Sequence, residues 1–525
     1  PSAWGELEVL QLLERWPEAE ERLAELYPRL QRLVAASCAP ANLLNEAWRL
    51  RGALRLVQGD QAGALQRWGE PLKGRYATPE TYRFSLWNPI QDPLSARHLG
   101  QHGLWERSLE SGQIHATQRV QTLVRLGRAA EALELARRES FDLVEGELSD
   151  NGLLLSARAT GSVAEVRSAA LAQWARRPND SRRLFALSAL SDDPAAALAF
   201  LLRSRRPGQE HDPDELKREL DLLIELGRFA DALPLARAQV ATARGGSARL
   251  STSNGLISLS GSAPRLRFQW GGSGGSGGYY VWRNSSPGDL SSERGAEAQL
   301  LGLLARAGLH DERRPQERSW LAAAADRPAA RRRLARAYAS LGALPEAIEV
   351  ASRAPQERPA DRVSLWAPLL QESGHRRDPE LLEGLRTLLS QLLEACQALA
   401  PERPLQADRA RVHALVRVWR IATPAQRELA RAASARLVAT HLRSPSDQIH
   451  AAWLELRLGE RAAARARLER VRAESYRAGR GEPSGWWPAW ALAQPDAPRP
   501  QAIRTALAFG ARDWEQAELE AALER

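Results

Sequence analysis

Apolar residues recur at three- and four-residue steps from the start of the chain to about residue 243, and again from 295 to 525. That period belongs to amphipathic helices, and Gly, Pro, Asn and Asp interrupt it at intervals. Within 9–36 the apolar positions are Val9, Leu10, Leu12, Leu13 and Trp16, then Leu23, Leu26, Leu30 and Leu33. Helix pairs are predicted at 42–57 with 61–69, and across 115–138, 151–176, 181–203 and 213–243. In the second half they are predicted at 295–307 with 316–325, 329–341 with 344–354, 361–373 with 378–399, 406–421 with 424–442, 446–457 with 461–477, and 499–509 with 512–523. Short connections make neighbouring helices antiparallel.

One signature returns between the helices of a pair. Leu-Gly-Arg-Ala-Ala-Glu-Ala at 126–132 recurs as Leu-Gly-Arg-Phe-Ala-Asp-Ala at 226–232 and as Leu-Gly-Ala-Leu-Pro-Glu-Ala at 341–347. Looser copies are Leu-Gly-Glu-Arg-Ala-Ala-Ala at 458–464 and Gln-Gly-Asp-Gln-Ala-Gly-Ala at 58–64. Each Gly ends one helix, and an Ala follows five residues later inside the next. A recurring helix-turn-helix unit predicts a stacked array that presents surface.

The period stops over 244–294, where Ser, Gly, Thr and aromatic residues take over. Asn254-Gly255 lies between two short strand-like runs, a hairpin signal because both central residues need positive φ. Arg265–Trp270 alternates apolar and polar, and 279–283 reads Tyr-Tyr-Val-Trp-Arg. These predict a four-stranded insert of two hairpins, docked on the helices as a plug. The GGS repeat of 271–278 reads as a flexible linker standing in for a loop or a domain. The chain therefore divides into N-terminal helical repeats (1–243), a β-rich insert (244–294) and C-terminal helical repeats (295–525).

The recurring unit resembles the tetratricopeptide repeat, a helix-turn-helix of about 34 residues, in a degenerate, bacterial-type form. The fullest match is 45–78, where Trp48, Gly52, Gly59 and Ala64 fall at the family's Trp, helix-packing Gly, turn Gly and crossing small residue. Tyr338, Gly342 and Ala347 match in a second copy. Gly127 with Ala132, Gly227 with Ala232, and Gly459 with Ala464 match at the turn and the crossing only. The resemblance implies an all-α, right-handed helical-repeat solenoid, here with a small β-hairpin insert, whose concave face binds peptides or protein surfaces. It implies no catalytic residue and no cofactor. The Lys- and Asn-based carboxylate clamp of one subclass has no counterpart, since Lys73 and Lys217 are the only lysines.

The formal charge of +9 rests on arginine. The arginines are spread along the chain and alternate with Asp and Glu, as on solvated helix faces, and no recognition motif accompanies them. This weighs against a nucleic-acid-binding superhelix, which stays an alternative. Cys38 and Cys396 form no metal or disulfide framework, and each reads as a small buried residue. His98 and His102 are four apart, with His115 further on, but Gly100 lies between the first two and no third ligand is near, so no metal is expected. His211, beside Asp212 and Asp214, reads as part of a helix start. Gly271–Gly275 fits GxSxG and Gly272–Gly277 fits GxGxxG without the strand-turn-helix setting either needs. No GxxxxGK[ST] occurs.

Trp486, Trp487 and Trp490 cluster around Pro488, either as a partner hot spot or as an apolar lid on the last repeats. With Trp270, Tyr279 and Trp282 of the insert they are the candidate partner-binding residues. Trp48, Trp68, Trp174 and Trp453 sit at core spacing. The expected function is a non-enzymatic scaffold or adaptor whose groove takes an acidic or amphipathic protein segment. The rival is a regulatory or sensor module whose catalytic part is on another chain or was removed at the Gly/Ser linker. No membrane-spanning run and no signal peptide are read, so a cytoplasmic location is expected, with the periplasm left open.

Overall fold

The computed structural model describes residues 6–7, 10, 15–36, 41–69, 96–110, 116–138, 152–176, 187–188, 190–191, 193–204, 213–245, 250–251, 258–259, 293–323, 328–353, 358–374, 379–440, 444–477, 479–511 and 513–524. They are helical almost throughout, and they pack as two compact units. One takes in the described residues of 1–132 and 469–483, and the other takes in the remainder. The units follow packing, so they cut differently from the three segments read from periodicity.

The helices of the first half are α1 (Trp16–Ala35), α2 (Ala41–Val57), α3 (Gln61–Gly69), α4 (Ala96–Gln101), α5 (Trp105–Glu110), α6 (Ala116–Arg125), α7 (Ala129–Arg138), α8 (Gly152–Thr160), α9 (Val163–Arg176), α10 (Pro194–Ser204), α11 (Pro213–Glu225) and α12 (Phe229–Gly245). In the first unit Leu7, Leu23, Tyr27, Trp48 and Leu54 form one core cluster. A reciprocal pair of bonds locks α2 to α3. Trp48 Nε1 donates to the Arg67 carbonyl (3.2 Å), and Trp68 Nε1 donates to the Arg49 carbonyl (2.9 Å). Gly52 makes this possible, because a Cβ there would stand 2.1 Å from the Trp68 ring.

The recurring turn has one geometry. Gly59, Gly127, Gly227, Gly342 and Gly459 all have φ between 68° and 84°. In each, the Gly N–H bonds back three residues and the next N–H bonds back five, as Arg128 N does to Leu123 O (2.9 Å). This is the Schellman closure, which satisfies carbonyls left open at a helix end and favours Gly because an L side chain resists positive φ. Ala64, Ala132, Ala232, Ala347 and Ala464 are all fully buried at the helix crossing. The same pair of bonds closes turns at Gly103, Gly161 and Gly308, which the sequence reading did not single out. There the residue five further on is Ser108, Val166 or Arg313, all buried. Gly161 falls 34 residues after Gly127, and Gly342 falls 34 after Gly308.

The helices of the second half are α13 (Glu293–Arg306), α14 (His310–Ala323), α15 (Pro328–Ser340), α16 (Leu344–Ser352), α17 (Pro359–Ser373), α18 (Leu382–Leu399), α19 (Pro404–Arg417), α20 (Pro424–Thr440), α21 (Pro445–Arg457), α22 (Arg461–Arg477), α23 (Trp486–Ala493), α24 (Arg499–Ala508) and α25 (Asp513–Leu523). In the second unit each odd-numbered helix from α13 to α25 touches the next odd-numbered one, and α16 touches α18. Helix pairs therefore stack in layers. Late in the same unit α24 returns to α8, with Gln501 Nε2 donating to the Ala159 carbonyl (3.0 Å).

The four-stranded insert is not supported. Among the described residues the segment 244–294 holds a minimal antiparallel ladder, Leu250–Ser251 against Ser258–Leu259. Two residues a side fall short of the two hairpins that the alternation predicts, and so short a ladder has no stability of its own. Arg265–Trp270 and 279–283 lie outside the described residues.

Candidate functional site

Trp486 and Trp487 are buried (0% and 4% exposed), and Trp490 is half-buried. Trp486 stacks on Trp490 with ring centroids 5.1 Å apart, and Trp487 stacks on Phe509 at the same separation. Trp486 Nε1 donates to the Leu468 carbonyl (2.8 Å). The rings spend their surface on each other and on Phe509, which corrects the hot-spot reading of Trp486 and Trp487 in favour of the lid. Trp270, Tyr279 and Trp282 lie outside the described residues.

His102 follows the last residue of α4 and is buried. Its Nδ1–H donates to the Tyr476 carbonyl (2.9 Å), and its ring lies 4.9 Å from that of Trp68. Trp105 Nε1 donates to the Tyr476 hydroxyl (3.1 Å), which in turn donates to Glu482. Arg125 stands 3.4 Å from Glu482, both buried, and Gly481 N donates to the Gln101 carbonyl (3.0 Å). These bonds clasp 475–482 onto the helices from α4 to α6. Burial pushes His102 down to about 4, against the hydrogen bond to Tyr476 and with a smaller push from Arg49. His102 Nδ1 is thus committed to the clasp, and the side chain of His98 lies outside the described residues. His115 and His211 lie outside the described residues.

A second titratable cluster joins α19 to α21. Asp447, at the start of α21 behind the Ser444 cap, takes Arg409 bidentately at 2.9 and 2.8 Å. His413 Nε2 lies 3.6 Å from Asp447, and its ring stacks on His450 at 3.5 Å. Burial would raise Asp447, but His413 and Arg409 outweigh it and hold the carboxyl well below its usual range. Burial also lowers His413. Among the described residues no three His, Cys, Asp or Glu side chains converge on a metal position. Cys396 is buried, and burial pushes its thiol up to about 12, so it is no ready nucleophile.

A surface feature with the composition of an interface lies among the turn after α19, the start of α20 and the end of α21. A cavity of about 490 Å³ is lined by Trp419, Pro424, Arg427, Glu428, Arg457 and Leu458, among others. One turn of 3-10 helix, Trp419–Ile421, follows α19. A capping box then starts α20: Thr423 N donates to Gln426 Oε1 (2.9 Å), and Gln426 N donates to Thr423 Oγ1 (3.3 Å). That box sets the entry of α20 so that Arg427 lies back over the Trp419 ring, 5.2 Å from its centroid. The sequence reading placed Trp419 inside a helix and passed over it. The Thr-Pro-Ala-Gln run that follows was the available signal.

No family model matches the chain, and no curated protein matches it. Among solved structures, the Naa15/Naa10 assembly bound to HypK-THB aligns over 95% of this chain and 61% of its own, at 12% identity and a TM-score of 0.23. The APC/C hetero-tetramer Cut9–Hcn1 aligns over 94% of this chain and 90% of its own, at 14% identity and a TM-score of 0.20. The chain spans about three fifths of the length of the first. Superpositions this loose carry no argument about fold or function. Among the described residues no helix is long and apolar enough to cross a membrane.

Proposed function

We propose that the chain is a non-enzymatic, tetratricopeptide-like scaffold that binds a protein partner on its helical-repeat surface. The observation that supports this best is the layered contact of alternate helices from α13 to α25, with the Gly turn recurring at Gly308, Gly342 and Gly459 and a buried Ala following the last two. Helix pairs stacked this way bury one face against their neighbours and leave the other available to a partner. A nucleic-acid role is disfavoured by how the arginines are spent. Arg107 pairs with Glu110, Arg128 with Glu131 and Arg228 with Asp231, each across one helical turn. Cations already neutralised locally release few counterions from a phosphate backbone.

The test is reconstitution. Cross-linking in the producing cell identifies neighbours, and each is then purified and mixed with the purified chain. The expected result is a stoichiometric complex that persists between 50 and 200 mM salt, on the order of the range over which phosphate-driven binding collapses. No reconstituted complex, or binding only to a labelled DNA or RNA duplex with a steep salt dependence, would overturn the scaffold reading.

A further inference from the structure

We infer that the cavity at Trp419 is a docking site for an acidic, amphipathic protein segment, with Arg427 taking a carboxylate and the Trp419–Leu458 wall taking the adjoining apolar side chain. This rests on the scaffold reading and names the partner chemistry within it.

The three arginines of α20 are spent differently. Arg431 pairs with Glu428, and Arg436 takes Asp408 at 2.7 and 2.8 Å. Arg427 has no carboxylate within ion-pair distance among the described residues. It donates to the Trp419 carbonyl (3.3 Å) and covers the Trp419 ring, and its Nε has no hydrogen-bond partner. Across the cavity Arg457 is spent on Glu518 (2.8 Å). Among the described residues the lining therefore carries one positive charge without a carboxylate partner, held half-buried against an aromatic ring.

Guanidinium is a rigid fork suited to one carboxylate, and stacking on Trp419 already costs it the freedom that binding would remove. Partly desolvated Arg and Trp side chains are the residue types that carry most interface energy. One cation beside the exposed Glu428 is a poor match for a polyanion, which needs a row of them. Pro424 and Leu458 give the apolar contact that sets an amphipathic segment apart from a merely acidic one.

The experiment uses the full chain and two fluorescein-labelled helical peptides. One carries Glu and Leu at i,i+4 spacing, and the other replaces each Glu with Gln. Anisotropy at physiological salt is expected to show the Glu peptide binding about tenfold more tightly than the Gln peptide, as a charge-assisted bond would. Arg427→Gln is expected to erase that difference, Trp419→Ala to weaken both peptides, and Arg431→Gln, on the same helix, to change neither. Circular dichroism confirms that each variant is folded. Equal binding of the two peptides, no binding of either, an unchanged preference in Arg427→Gln, or displacement of the Glu peptide by duplex nucleic acid would each overturn the assignment. A reconstituted partner complex that ignores Arg427→Gln would leave the scaffold reading standing and remove the docking site alone.

Discussion

His102 shows what a single buried ring does to the whole chain's response to acid. Its imidazole stays neutral down to about pH 4, while in the unfolded chain it takes up a proton near its ordinary value of 6.5. Between those limits the unfolded state binds more protons than the folded one, so stability falls as pH falls. By pH 4 the loss from this residue reaches about 3 kcal/mol. His413, also lowered by burial, acts in the same direction. Asp447, held down, keeps its stabilising charge until the pH falls below its usual range. Urea midpoints measured from pH 7 to pH 4 should decline. In His102→Gln, whose amide can still donate to the Tyr476 carbonyl, the decline should be shallower. A flat profile in the unsubstituted chain would contradict the burial of both rings. None of this was readable in advance. Sequence spacing placed His98 and His102 on one helical face, whereas the acceptor that fixes His102 lies 374 residues away.

At the scale of the element, the helix-turn-helix was legible wherever both of its requirements were met by the commonest residue. Gly59, Gly127, Gly227, Gly342 and Gly459 announced themselves because an Ala follows each at the crossing. Gly103, Gly161 and Gly308 went unnoticed because the turn demands only the Gly. The crossing tolerates a larger residue if its surroundings are built for it. Arg313 is the extreme case, buried beside Glu317 (3.4 Å), with Glu317 accepting from the Tyr338 hydroxyl (2.7 Å). Ala347→Leu, which forces a side chain into a filled crossing, should lower stability by about 1–3 kcal/mol. Gly127→Ala, where a Cβ would meet nothing within 4 Å but φ is +77°, should cost about 1 kcal/mol from backbone strain alone. Denaturant midpoints of the two variants order the effects. A larger loss for the glycine would place strain above packing. The Trp486–Trp490 run was ambiguous for another reason. A helix that is apolar all round shows no face, and what covers its rings is supplied from elsewhere, the Leu468 carbonyl by α22 and Phe509 by the residue that caps α24.

At the scale of the molecule, local patterning says which helices pair with their neighbours and is silent on which distant ones meet. Nothing in residues 152–160 or 499–508 marks them as partners, yet α8 and α24 lie against each other. Ile503 is 1% exposed within α24, so a charge there should unseat that helix and show whether α8 depends on it. Ile503→Asp buries a charge and should speed amide exchange in 152–160 along with that of α24, while exchange in α17 and α18 stays slow. Unchanged protection over 152–160 would show that α8 holds without α24.

The clasp between 475–482 and the helices around His102 has a consequence during synthesis. Arg125 leaves the ribosome 351 residues before Tyr476. At roughly 5–20 residues per second that is a wait of about 20–70 s, during which Trp105, His102 and Arg125 lack the contacts that Tyr476 and Glu482 bring. A nascent chain paused before residue 475 should therefore be the form most exposed to chaperones and proteases, with its weak point near the beginning of the chain and its remedy near the end.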